Sequence, residues 1–244
     1  MLFRDMAGIG SFTYITPTEC LKAAMHIPEC KRAGMIVDGP QQDAAEFLGH
    51  LLEHFHEKFR ALAEIFEGQF VSRHTCQRCA HSYCTNQPFK LYTLQMDLPS
   101  TLEIQTFDIY KLMAYFHRET ILYGYPCANC NSQDSTEKKI SVVALPRVLV
   151  MHFSRFQGLQ KMNKYVRFPA LASIKYSVDD NEYTIQYQIT GVVVHLGSSI
   201  ASGHYISYVR AGENWFKIND DIVTTVRWNT VRRKKAYMLF YEQI

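Results

Sequence analysis

Residues 41–59 hold the strongest periodicity in the chain. Ala44, Phe47, Leu48, Leu51, Leu52, Phe55 and Phe59 recur at three- and four-residue steps, the spacing of one buried helical stripe. Asp38-Gly39-Pro40 breaks the chain before it, and Asp43 with Glu46 three residues on reads as an N-cap and carboxylate at the positive end of the helix dipole. Thr16-Pro17-Thr18-Glu19 reads as an earlier helix start, with Cys20, Leu21, Ala24 and Met25 as its buried stripe. Ile109, Leu112, Met113 and Phe116 step as a further short helix. Elsewhere the pattern alternates or runs apolar. Segments 66–75, 89–98, 140–156 (broken by Pro146) and 181–196 therefore read as strands.

The segment 203–221 combines such a pattern with candidate chemistry. After Gly203 and His204, Tyr205, Ser207 and Val209 alternate with Ile206 and Tyr208, a turn falls at 211–214, and a second strand over 215–218 ends in Asn219-Asp220-Asp221. Such a hairpin returns the end of its second strand to the start of its first, making His204 a neighbour of Asn219 or Asp220. An imidazole beside a side-chain oxygen is the base-and-orienter half of a nucleophilic triad. The plainer reading is a satisfied histidine at a sheet edge. His152 has no acid nearby in sequence and is expected to be structural.

Composition narrows the classes. A chain of 244 residues can bury a substantial core, as one large domain or one domain with a subdomain. A net charge of +3 is too mild to argue for nucleic acid or a membrane, and the basic run 232–235 reads as a solvated turn before the last strand. The first residues show no secretory signal, and no apolar run is long enough to span a bilayer. Of seven cysteines, four stand in two CxxC pairs. Cys76, Cys79, Cys127 and Cys130 supply the four thiolates of a closed structural Zn2+ site that clamps two hairpin tips. Cysteine usage of this kind fits a reducing compartment, cytosol or nucleus. The knuckle flanks carry too little positive charge for a nucleic-acid zinc ribbon.

GHYISYVR at 203–210, WFKIND at 215–220 and AYMLFY at 236–241 resemble the histidine box and closing strand of the ubiquitin-specific proteases. These are papain-like cysteine hydrolases that cut after the C-terminal glycine of ubiquitin. QQDAAEFL at 41–48 resembles the family's helix beside the ubiquitin tail, and 145–169 its apolar-strand, Arg-Phe and Val-x-Phe-Pro run. The resemblance implies an α+β, papain-like fold with an antiparallel β palm, an incomplete thumb, and zinc-ribbon fingers over about 66–140 that grip ubiquitin, all as a single domain 1–244. It implies His204 as general base, Asn219 as its orienting partner and Asp220 beside them. Gln42, Asp43, Glu46, Phe47, Gly203 and Tyr205 are implied at the substrate tail, where Asp43 and Glu46 could pair with arginines, cap their helix, or do both.

The family places its nucleophile in an Asn- and Gly-rich box ending in Cys-Tyr, before the QQDA helix. This sequence has no such box. Cys20 lies on an apolar stripe, Cys30 follows Pro28-Glu29, and Cys84 sits beside a zinc knuckle, so none suits a thiolate nucleophile. Three expectations follow: a fragment or alternative start of an active deubiquitinase, a pseudo-enzyme that binds ubiquitin without cutting it, or a zinc-stapled interaction module. Without the family's opening segment, the apolar face of the helix at 43–59 is expected to be exposed and the chain marginally stable.

Overall fold

A computed structural model describes residues 23, 26–35, 41–98, 107–158, 160–178, 181–199 and 202–244. The helix expected from Thr16, with Cys20, Leu21, Ala24 and Met25, lies outside them apart from Ala23, which is helical. A short helix α1 (Pro28–Arg32) buries Cys30 and Glu29. The periodic stretch forms α2 (Ala44–Lys58), and Asp43 is its N-cap: Oδ1 accepts from the backbone N–H of Ala45 at 2.8 Å and of Glu46 at 2.9 Å. After α3 (Arg60–Ala63) and a 3-10 turn at Glu64–Phe66, β1 (Gly68–Cys76) runs out to the first cysteine pair.

The strand returning from that pair is β2 (Ser82–Phe89), not the apolar run 89–98. It is exposed at every position but Phe89, so no alternation marks it, and it lies at the outer edge of its sheet, where a proline such as Pro88 is tolerated. The apolar run instead supplies β3 (Tyr92–Gln95), which joins the other sheet. Then follow β4 (Phe107–Asp108), α4 (Ile109–Phe116) capped by Asp108, β5 (Thr120–Tyr123), and β6 (Ser135–Ala144), whose polar first half gives no strand signal. Strands β2-β1-β6-β5 form an antiparallel four-stranded sheet with both cysteine pairs at its tip. Its strands come from 68–89 and 120–144, while β3, β4 and α4 between them return to the main body.

Beyond Pro146 lie β7 (Val148–Ser154), the short β8 (Phe156–Gln157), β9 (Gln160–Lys161) and β10 (Val166–Arg167), then β11 (Leu171–Val178) and β12 (Asn181–Leu196). The hairpin β13 (His204–Ala211) and β14 (Asn214–Asn219), then β15 (Ile222–Val226), α5 (Trp228–Val231) and β16 (Met238–Gln243) complete the chain. The main sheet has the order β15-β14-β13-β12-β16-β7-β3, with β11 also on β12. It is antiparallel except for β3 against β7. Tyr92, Leu94, Leu149, Met151, Phe153, Tyr187, Val192 and Tyr241 fill the core on this sheet. The N-terminal turn of α2 packs Ala45 on Tyr237 and Met238. Along the rest of its stripe Leu52 is buried, Phe47, Leu48, Leu51 and Phe55 are half-buried, and Phe59 is 59 % exposed.

Candidate active site

The hairpin β13–β14 closes through Gly212-Glu213, and Gly212 takes φ +60°, a left-handed angle that costs glycine least. That local turn sets a register of Ser207 opposite Ile218. His204, at the start of β13, and Asn219, at the end of β14, thereby face each other. The His204 Nε2 lies 2.6 Å from Asn219 Oδ1. With Nε2–H donating to that oxygen, the imidazole is fixed in the tautomer that leaves Nδ1 free to accept a proton. Asp220 begins the tight turn into β15 at φ +51°, and its Oδ2 stands 3.6 Å from the same Nε2. Its side chain is 75 % exposed, so solvent screens its pull on an imidazolium. Asn219 is the closer partner.

Gly203 positions His204. A Cβ there would stand 2.2 Å from the Leu196 carbonyl and 2.3 Å from His195 Nε2, so no other residue lets the loop pass so close to β12. His195 fills the space beneath. It is 3 % exposed, packed among Tyr205, Phe156 and Tyr237, and both its ring nitrogens lack a hydrogen-bond partner. Burial, followed by the Lys161 ammonium, holds its pKa below the ordinary histidine value. Lys161 ties the loop's beginning to β9 by donating to the carbonyls of His195 at 2.6 Å and Gly197 at 3.0 Å.

The start of α2 is bound to the same region. The Tyr237 hydroxyl donates to Asp43 Oδ2, and the Ala44 N–H meets the Tyr205 hydroxyl at 3.4 Å. Burial, then the Asp43 carboxylate, pushes the Tyr205 phenol up to about 12, and the same two causes raise Tyr237, so both remain neutral phenols. Both Asp43 oxygens are therefore engaged within the chain. Glu46 is the exposed acid, 3.7 Å from His50. Asp43 and Glu46 line a cavity of about 410 Å³ with His152, Phe156, Tyr237 and the buried Arg155, whose guanidinium offsets part of their charge. Gln42 and Phe47 are half-buried and are not among its walls. His152 bonds Thr93 Oγ1 at 3.3 Å through Nδ1, and burial lowers its pKa.

At the far end of the finger sheet, the sulfurs of Cys76, Cys79, Cys127 and Cys130 all lie within 4.8 Å of one another. The Cys76–Cys130 and Cys79–Cys127 separations are 3.8 and 3.7 Å. A tetrahedral zinc with Zn–S bonds of about 2.3 Å requires about 3.8 Å between sulfurs. The His81 backbone N–H, followed by the Asn129 amide, draws the Cys79 thiol down to about 6, and the Cys130 and Asn129 N–H groups lower Cys127. Cys130 goes the other way, to about 11: the Ser132 N–H lowers it, but burial and the neighbouring thiols outweigh that. Four sulfurs at tetrahedral separations are what make the residues fit a metal. The other two described cysteines lie elsewhere. Cys30 is fully buried, its thiol raised by burial and then by Glu29, and Cys84 is exposed on β2. Cys20 lies outside the described residues.

Residues 1–241 match the family profile described as ubiquitin carboxyl-terminal hydrolase. The chain belongs to the ubiquitin carboxyl-terminal hydrolase family. Ubiquitin carboxyl-terminal hydrolase 8 of Saccharomyces cerevisiae is 28 % identical over 239 residues, spanning 82 % of this chain and 49 % of that protein. Ubiquitin carboxyl-terminal hydrolase 20 of Arabidopsis thaliana is 30 % identical, spanning 82 % and 30 %. A solved structure of the SAGA Ubp8/Sgf11/Sus1/Sgf73 DUB module bound to ubiquitin aldehyde is similar, with a TM-score of 0.73 at 27 % identity, covering 84 % of this chain and 50 % of that one. The same module with a substituted Ubp8 and bound monoubiquitin gives 0.73 at 28 % identity, covering 84 % and 49 %. The chain thus spans half or less of these relatives. The mixed α+β fold of palm and fingers agrees with that of the ubiquitin-specific proteases. Among the described residues, no helix is long and apolar enough to cross a membrane.

Reading the sequence missed Tyr237, His195 and Lys161 as parts of this site. Tyr237 lies in the quoted AYMLFY run, but its acid partner is 194 residues away.

Proposed function

We propose that this chain carries ubiquitin-directed thiol hydrolase machinery, acting on the bond after the C-terminal glycine of ubiquitin. The observation that supports it most is the 2.6 Å pair of His204 Nε2 and Asn219 Oδ1 beside the α2 start, in a chain of this family. In the reaction a cysteine thiolate, which none of the described cysteines is placed to supply, attacks the glycine carbonyl; His204 Nδ1 takes the thiol proton and returns it to the leaving amine, and Asn219 keeps the ring in register. Asp220 adds a screened negative charge. The cavity beneath Asp43 and Glu46 takes the basic tail of ubiquitin, with Glu46 free to pair with an arginine and Gln42, Phe47, Gly203 and Tyr205 bordering its path.

The cysteine cluster holds a structural zinc, with four thiolates and no open position for chemistry. It stiffens the fingers that grip the body of ubiquitin. Free thiols throughout the described cysteines accord with cytosol or nucleus.

A second reading, ubiquitin binding without cleavage, is favoured by the burial and raised thiol of Cys30. One experiment separates the two. The protein isolated from its own source is treated with ubiquitin bearing a cysteine-trapping electrophile at its C-terminus, and the intact mass is read. A covalent adduct with one ubiquitin supports the hydrolase. Non-covalent retention of ubiquitin without an adduct supports the second reading, and neither result would leave both without support.

A further inference from the structure

The basic turn between α5 and β16 does more than lie in solvent. Arg233, Lys234 and Lys235 fold over β9 and the end of β12, where with Lys161, His195 and Asn163 they line a concave cavity of about 320 Å³. The turn is held in place: the Tyr165 hydroxyl donates to the Arg232 carbonyl at 2.6 Å, and the Lys234 N–H reaches the Val231 carbonyl at 2.9 Å. Lys234 also stands 5.8 Å above the Tyr208 ring. No carboxylate lines the cavity, and among the described residues none of its four cations is in an ion pair. Lys161 finds only carbonyl oxygens, and burial, then Arg155 and Lys235, makes its ammonium harder to hold. His195, nine-tenths buried and partnerless at both nitrogens, forms part of the wall.

Four cations held around a concavity without a counter-charge make a site that an anion completes. We infer that this cavity docks an acidic peptide segment, seating one or two carboxylate side chains among Lys161, Arg233, Lys234 and Lys235. Its size and shape favour a peptide over nucleic acid: it is a pocket and not a stripe, and no exposed aromatic lines it for base stacking. Its place adds meaning. Leu196, on its rim, pairs with His204, and the wall of Phe156, His195 and Tyr237 divides it from the cavity of Asp43 and Glu46. Two neighbouring clefts thus lie beside the hairpin, one with two carboxylates and the buried Arg155, the other with four cations and no acid, and a basic tail and an acidic segment would sort between them.

The test uses the 244-residue chain and a short fluorescein-labelled peptide of glutamates and glycines, with a glutamine counterpart as control. Saturable binding of the glutamate peptide alone, weakened about tenfold by joint Lys234→Glu and Lys235→Glu but not by the distant Lys175→Glu, is expected. The neutral pair Lys234→Gln and Lys235→Gln, with thermal melts of every variant, separates lost charge from lost fold and should weaken binding several-fold. No saturable binding, equal affinity for the glutamine peptide, or unchanged affinity in correctly folded charge variants would overturn the inference. Tighter binding of duplex DNA, sensitive to the same substitutions, would assign the cavity to nucleic acid and overturn it equally. Because the readout is peptide binding, the result is independent of whether the chain cuts ubiquitin.

Discussion

At the scale of single residues, the site depends on close approaches that only particular side chains permit. Gly203 has no room for a methyl between the Leu196 carbonyl and His195. Gly203→Ala is expected to cost about 1–3 kcal/mol and to displace His204, measurable by urea denaturation and by the imidazole NMR signals. An unchanged midpoint with unchanged signals would refute the close packing. Tyr237→Phe deletes the donor to Asp43 Oδ2 and should cost about 1–3 kcal/mol, less once Asp43 is also replaced by Asn. Burial lowers the pKa of His74, His117, His152 and His195. Each stays neutral when folded while its unfolded counterpart takes a proton near pH 6.5, so their contribution is intact above about pH 6.5 and is lost as pH falls through the folded values. The urea midpoint should therefore drop between about pH 7.5 and 5.5, and a flat profile would show these rings to be solvated. His204 and Asn219 were legible as neighbours because one local hairpin joins them. The Asp43–Tyr237 and Lys161–His195 bonds were not, because their partners meet only through the tertiary fold.

At the scale of elements, the proposed zinc at the cysteine cluster is expected to decide whether the finger sheet holds together. Strand β1 ends at Cys76 and β6 begins at Ser135, just past Cys130, and beyond the root of the sheet little apolar surface holds them together. Native protein should carry about one zinc per chain by elemental analysis. Chelation or Cys127→Ser should open the loops at 77–81 and 124–134 to protease while amides of β7, β12 and β16 stay protected against exchange. Loss of protection throughout the palm would mean that the fingers do not melt separately. The knuckles were legible from CxxC spacing, and α2 from its stripe. Strand β2 was not, because an exposed edge strand needs no apolar alternation, and its pairing with β1, helped by the Phe89–Phe70 and Tyr83–His74 stacks, places it. The parallel seating of β3 on β7 was equally silent, since the apolar run that forms it fits either partner.

At the scale of the whole molecule, the chain presents one cleft with two carboxylates and Arg155, a second with four cations and no acid, the His204–Asn219 hairpin beside them, and a sheet tipped by four cysteines. The fold class was legible from the motif order along almost the whole chain, and the charge sorting was not, because Lys161, His195 and the 233–235 turn converge from three elements. Glu46→Lys, which alters an exposed acid without touching the Asp43 cap, should weaken ubiquitin binding about tenfold and leave thermal stability nearly unchanged. The account turns on recognition of ubiquitin, which both readings of the site require. Titration calorimetry of monoubiquitin into the zinc-loaded 244-residue chain tests it most directly. Saturable binding with a dissociation constant on the order of micromolar, weakened by Glu46→Lys, is the predicted result. A folded, zinc-loaded chain that takes up no ubiquitin would contradict the account.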